Sequence, residues 1–206
     1  MADSARVWFE AVAASARDKG LAEIERRALM GVARVSARWG DVPAARQAFQ
    51  RMLILAHQQG RAVERESLFV AATIALAEHD TLRAADGFQQ VLHLDGFLDG
   101  ARTRTSRALL LDLTRLTLGR GRYAEALDLA LALREMDLVD SLAATRSADV
   151  GVADMLAARA YQGMGQADSA LAYARAGVTA LTAGLGPGSS VTREAAELLA
   201  SLAGPL

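Results

Sequence analysis

The feature that most constrains this chain is a small residue that returns at nearly even intervals. Four segments share one layout: "RWGDVPAARQAF" (38–49), "AEHDTLRAADGF" (77–88), "GRGRYAEALDLA" (119–130) and "GMGQADSALAYA" (163–174). Each passes from a turn into a helix and carries alanine at the same place. These alanines are Ala45, Ala84, Ala126 and Ala170, separated by 39, 42 and 44 residues. A drifting period near forty belongs to repeat architectures, in which a helix pair cannot bury both its faces alone and must stack on its neighbours.

Composition points to helices throughout. Alanine and leucine dominate, β-branched and aromatic residues are sparse, and the only prolines are Pro43, Pro187 and Pro205, so helix propensity is high and strand signal nearly absent. The spacing predicts ten antiparallel helices over 4–19, 22–39, 42–59, 62–78, 81–94, 99–119, 122–137, 147–164, 167–183 and 191–203. Gly20, Gly40, Gly60, Gly121, Gly165 and Gly184 each follow an apolar-periodic run, where a chain leaving a helix needs positive φ. Asp41 before Pro43 reads as a capped first turn. Ala33 with Ala45, Ala72 with Ala84, and Ala158 with Ala170 sit where two helices of a pair approach closely. Phe49, Phe88 and Tyr161 are the larger residues that fill gaps between pairs.

These positions resemble the tetratricopeptide repeat family. The third unit reads Leu110, Leu113, Thr114, Thr117, Gly121, Tyr123, Ala126, Ala130, and the first reads Leu29, Val32, Ala33, Ser36, Gly40, Val42, Ala45, Phe49. Thr114 and Thr117 depart from the usual types, and His79 stands in place of the glycine in the second unit. The long period, together with "AGLGPGSSVTREAAELLASLA" (183–203), is similar to the kinesin-light-chain variety also found in bacterial regulatory proteins. The resemblance implies an all-α, right-handed α-α superhelix, a tetratricopeptide-like solenoid of about four and a half to five helix pairs. On this reading residues 1–206 are one repeat domain, with a half repeat over 1–20, repeats over 22–59, 62–95, 99–138 and 147–184, and a capping helix over 191–203. In the last helix, Glu194, Glu197 and Ser201 lie on one face and Ala195, Leu198, Leu199 and Leu202 on the other, as a terminal cap requires.

The first helix looks like the second member of a pair without its first. Val7, Trp8, Phe9 and Val12 need cover, from an upstream domain, a dimer mate, or the second helix repacked over them. The expectation is that the chain is a fragment or C-terminal domain of a longer protein, with homodimerisation through these residues as the next choice.

Several function classes are excluded or disfavoured. Without cysteine there are no disulfides, thiolate metal sites or cysteine nucleophiles. His57, His79 and His93 lie far apart, so no metal or other cofactor is expected. No serine, histidine and acid grouping is visible, and "GLGPG" (184–188) neither follows a strand nor carries a phosphate-binding lysine. The expectation is therefore a protein that is not an enzyme. A net charge of −1 and few aromatics argue against nucleic acid. "LFVAATIALA" (68–77) is about half the length a membrane span needs, and the N-terminus has no apolar signal core. The expectation is a cytoplasmic protein with no membrane partner.

What the tetratricopeptide resemblance implies about binding is a concave surface lined by the first helix of each pair. It places Met30, Phe69, Leu111 and Met155 in one column and Arg34, Thr73, Arg115 and Arg159 in the next, with Arg27 and Arg38 flanking. An apolar column beside an arginine column suits an acidic, partly apolar peptide or partner protein, because guanidinium pairs bidentately with carboxylate. Lys19 is the only lysine, so arginine is common here by composition and an arginine column must be discounted accordingly. The expected role is a non-catalytic interaction domain that binds a peptide or partner protein. The alternative is a sensory, regulatory or autoinhibitory module of a larger bacterial kinase, ATPase or transcription regulator.

Overall fold

The computed structural model describes residues 2–60, 62–96, 107–139 and 148–204. All regular structure among them is helical: α1 (Ala2–Asp18), α2 (Ala22–Arg38), α3 (Val42–Gln58), α4 (Glu64–Ala77), α5 (Thr81–Leu94), α6 (Arg107–Gly119), α7 (Tyr123–Val139), α8 (Ala148–Gly163), α9 (Ala167–Leu185) and α10 (Ser190–Ala203). The expected starts of the sixth and eighth helices, at 99 and 147, lie outside the described residues. The chain forms two compact units, Met1–Ala101 and Arg102–Leu206. In the first, α2 packs against α1, α3 and α4, and α4 against α5. In the second, successive helices from α6 to α10 pack pairwise, and α6 also meets α8.

The helix ends follow local chemistry. Gly20, Gly40, Gly60, Gly121 and Gly165 adopt positive φ as the sequence requires, and His79 takes the same left-handed conformation at φ 61° where the repeat lacks its glycine. Asp41 caps α3 by accepting from the Ala44 N–H at 3.2 Å, and Asp80 caps α5 by accepting from Arg83 N–H at 3.0 Å. One stop moves. Gly184 lies inside α9, and the exit falls at Gly186 (φ 82°), whose N–H donates to the Thr182 carbonyl. Pro187 explains the shift, because the residue before a proline is driven out of the helical region.

Helices within a pair approach closely because the facing residues are small. Ala33, Ala45, Ala72, Ala84, Ala126, Ala158 and Ala170 are all buried. Thr114, the third unit's substitute for alanine, is also buried, and its hydroxyl donates to the Leu110 carbonyl at 2.6 Å. A buried hydroxyl satisfied by its own helix is tolerated where an unpaired one would cost about 1–3 kcal/mol. Phe88 is fully buried, and Tyr161 stacks on Tyr173 with centroids 5.3 Å apart.

A second device ties the pairs together thirty residues apart. Arg65 at the start of α4 grips Asp95 just past α5 through two parallel hydrogen bonds, one of them Nη2 to Oδ2 at 2.7 Å. Arg107 at the start of α6 donates through Nε to Asp137 near the end of α7 at 2.8 Å. The same spacing in the last pair joins Gly151 to Leu181. A Cβ built on Gly151 would lie 2.7 Å from Leu181 Cγ and 3.0 Å from the Gly177 carbonyl oxygen. A charged tie in two pairs is thus replaced by a close apolar contact in another. The first pair has Arg26 and Ala56 at these positions, and Arg26 turns instead to Glu23 on its own helix.

Gly151→Ala should therefore destabilise the protein by about 1–3 kcal/mol through overpacking, lowering Tm by roughly 2–12 °C for a chain of this size. Gly119→Ala, at a helical glycine with open space around it, should leave Tm unchanged or raise it. Thermal melts followed by circular dichroism compare the two directly.

Candidate functional site

The structure distributes the expected groove residues over two helix-helix faces, one in each unit. In the first unit Arg27, Met30, Arg34 and Arg38 lie on α2, and Phe69 and Thr73 on α4. Phe69 is buried, and the Arg34 guanidinium sits over its ring at 4.7 Å in a cation–π contact, while the same ring also meets Phe88 with centroids 5.7 Å apart. Thr73 is buried with its hydroxyl donating to the Phe69 carbonyl at 2.8 Å. Met30 packs half-buried against the unit's core. Arg27 is exposed and donates to Glu23 at 2.8 Å, and Arg38 is exposed at the end of α2.

In the second unit the corresponding face is more open. Arg115 on α6 and Arg159 on α8 both line a cavity of about 760 Å³ with Leu156, Tyr123 and Glu194. A smaller hollow of about 60 Å³ beside it adds Met155, Val152 and Ala195. Met155 is buried, so it supplies floor rather than surface, and Leu111 on α6 is half-buried and lines neither hollow. Tyr123 opens α7 and lies against Gly163 at the end of α8, where an added Cβ would come within 2.3 Å of the ring. The glycine therefore makes room for the tyrosine, and the pair forms one edge of the cavity.

The sequence places Glu194 only on the polar face of the capping helix, yet in the fold it forms an ion pair with Arg159, thirty-five residues away. Nothing short of the fold brings these two positions together. The pair is solvent-exposed on both sides, so its contribution to stability is about 0–1 kcal/mol. Chemically it is an internal carboxylate seated on one of the two guanidiniums beside the cavity.

Asp154, next to Met155 on α8, is buried and accepts from Arg134 Nε of α7 at 2.6 Å. Burial raises its carboxyl above the ordinary aspartate value, and the Arg134 contact only partly offsets that. Glu25 in the first unit goes the other way. Burial alone would push it up, but hydrogen bonds from Arg17 and Arg51 outweigh the desolvation and hold it below the usual carboxylate value.

The residues expected to need cover on α1 divide into two kinds. Phe9 and Val12 pack on the first unit's core, Phe9 lying against Gly31 of α2, so the second helix does cover this side. Val7 and Trp8 remain 58% and 61% exposed. Among the described residues no group of three or more metal-ligating side chains occurs, and no helix is long and apolar enough to cross a membrane.

Helix pairs with small residues at the crossing and left-handed exits at fixed positions define an all-α fold of the tetratricopeptide-like helical repeat kind. No protein-family model and no curated protein sequence matches the chain. In structure it is similar to BtubC (BKLC) from P. vanneervenii, with a TM-score of 0.74 over 98% of this chain and 83% of that one, at 11% identity. At that identity the likeness speaks for the fold alone.

Two outcomes follow from this electrostatic layout. Glu194→Ala should change Tm by no more than about 4 °C, as an exposed pair of 0–1 kcal/mol implies, while leaving the Arg159 guanidinium without its internal carboxylate. Asp154→Asn should change how stability depends on pH. A carboxyl raised in the folded state binds its proton more tightly there than in the unfolded chain, so its contribution worsens as pH rises from the ordinary value of 3.8 through the raised one. Wild type should lose stability relative to Asp154→Asn across that window and run parallel to it below. Urea unfolding at a series of pH values measures the difference.

Proposed function

We propose that the chain is a non-catalytic protein–protein interaction domain that holds an acidic, partly apolar peptide segment of a partner protein. The observation that carries this reading is the cavity flanked by Arg115 and Arg159 and floored by Leu156, with Glu194 already occupying one guanidinium. Two guanidiniums beside aliphatic surface provide bidentate sites for carboxylates and a place for an adjacent apolar side chain. Because the internal Glu194 pair is exposed and weak, a ligand carboxylate exchanges for it at little cost. The tetratricopeptide-like fold supports the same role, since helical repeats present extended surfaces rather than enclosed reaction chambers.

A phage-displayed library of random peptides tests the proposal without presupposing a partner. Peptides selected by wild type should be enriched in Asp and Glu next to aliphatic residues. Their affinity should fall roughly tenfold or more in the Arg115→Ala, Arg159→Ala double variant, as loss of charge-assisted hydrogen bonds implies, and should rise in Glu194→Ala. Selected peptides without acidic enrichment, or binding indifferent to the double variant, would overturn the reading.

A further inference from the structure

The first unit contains a second cleft that the interaction surface above does not use. It opens between α1 and α3, the second members of two consecutive pairs, over the flank of α2, and has a volume of about 600 Å³, within the range of small-molecule sites. Its size comes from its walls. Ala13 and Ala14 face Ala44 and Ala48 across a floor of Leu29 and Val32. The neighbouring hollow against α3 has Phe49 and Leu53 on its wall and shrinks to about 210 Å³. Alanine walls leave a slot where larger side chains would fill it.

The slot is charged oppositely at its two ends. At one end Arg17 and Arg51 both donate to Glu25, at 2.9 and 3.3 Å. Glu25 is only 3% exposed, whereas both arginines are open to solvent. One buried carboxylate thus orients two guanidiniums, leaves one net positive charge, and frees further N–H donors of each for a ligand. At the other end stands Glu10, 3.7 Å from Arg6, and Arg6 is itself donating to Asp41 at 3.1 Å. Two carboxylates share one guanidinium there, which leaves one net negative charge. Glu10 and Arg17 are seven residues apart on α1, so at 1.5 Å per residue the charged ends stand about 10 Å apart.

We propose that this cleft binds a short free peptide of about three residues with small or aliphatic side chains, its carboxylate on Arg17 and Arg51 and its ammonium on Glu10. An extended peptide spans about 3.3–3.6 Å per residue, so three residues match the separation of the charges. Leu29 and Val32 between them offer apolar contact but no charge. A longer chain would overrun one charged end, and a single amino acid would not reach both.

Titration of the whole chain with Ala-Leu-Ala, its C-terminal amide and its N-acetyl form, by calorimetry, tests this directly. The free tripeptide should bind saturably, and each blocked form should bind roughly tenfold more weakly, the expected loss of one charge-assisted contact. Ala13→Leu should abolish binding by filling the slot, and Arg17→Gln should weaken it about tenfold while Arg51 keeps Glu25 paired. If circular dichroism shows that Ala13→Leu disturbs folding, Ala14→Leu on the exposed part of the same wall replaces it. The Arg115→Ala, Arg159→Ala variant should bind the tripeptide as wild type does. No saturable binding, equal binding of free and blocked peptides, or binding indifferent to the wall variants would overturn the proposal.

Discussion

Close approach of the two helices within each pair is the constraint on which the remaining structure depends. Helices pack at roughly 8–10 Å between axes depending on the side chains at the contact, and here the contact is alanine against alanine in most pairs. That proximity is what puts Arg65 within reach of Asp95 and Arg107 within reach of Asp137. A larger residue at Ala72 or Ala84 would separate the helices and strand a buried carboxylate, which costs far more than the packing alone. The α8–α9 pair makes its close approach through Gly151 and Gly177, with Leu181 and Met155 lying against them, and Gly87 of α5 similarly lies against Ala72 of α4. Ion pair and glycine contact serve the same end, fixing the register of one helix on the next, and α4 and α5 use both.

This constraint is written in local sequence, which explains why so much of the fold is legible there. The recurring alanines, the glycines that end the helices and the Asp41 cap are short-range signals whose physics does not depend on distant residues. His79 shows the limit of such reading in an instructive way. The chain keeps its left-handed exit although the residue is not glycine, because the packed helices on either side dictate the turn. Gly184 shows the converse, a permissive residue that is not needed for the exit because Pro187 decides it.

The candidate surface is only partly legible in the sequence, for a different reason. Column positions on the first helices identify Arg115, Met155 and Arg159 as neighbours, and the second unit does bring them to one place. Sequence cannot say that Phe69 is already covered by Arg34, that Thr73 is satisfied by its own helix, or that Glu194 reaches Arg159 from α10. Exposure and pairing are properties of three or more elements packed together. The same is true of Glu25, which reads as an ordinary first-turn acid and is in fact the buried partner of two arginines from the helices on either side.

Degeneracy among the repeats then acquires a physical meaning. Stacking requires only that each pair bury its inward faces, so positions between successive second helices are free to vary in size provided the crossing residues stay small. Where that variation places Phe49 and Leu53, the hollow is mostly filled, and where it places Ala13 and Ala14 a slot remains. An open slot carries a cost, because its lining loses dispersion contacts that a filled interior would have. The Arg17, Glu25 and Arg51 cluster offsets this by bracing α1 and α3 against α2 at one end, so the slot stays open without the helices collapsing across it. A groove braced at one end in this way exists before any ligand arrives, and walls already in place would let a small ligand keep more of the free energy of its contacts instead of spending it on ordering them.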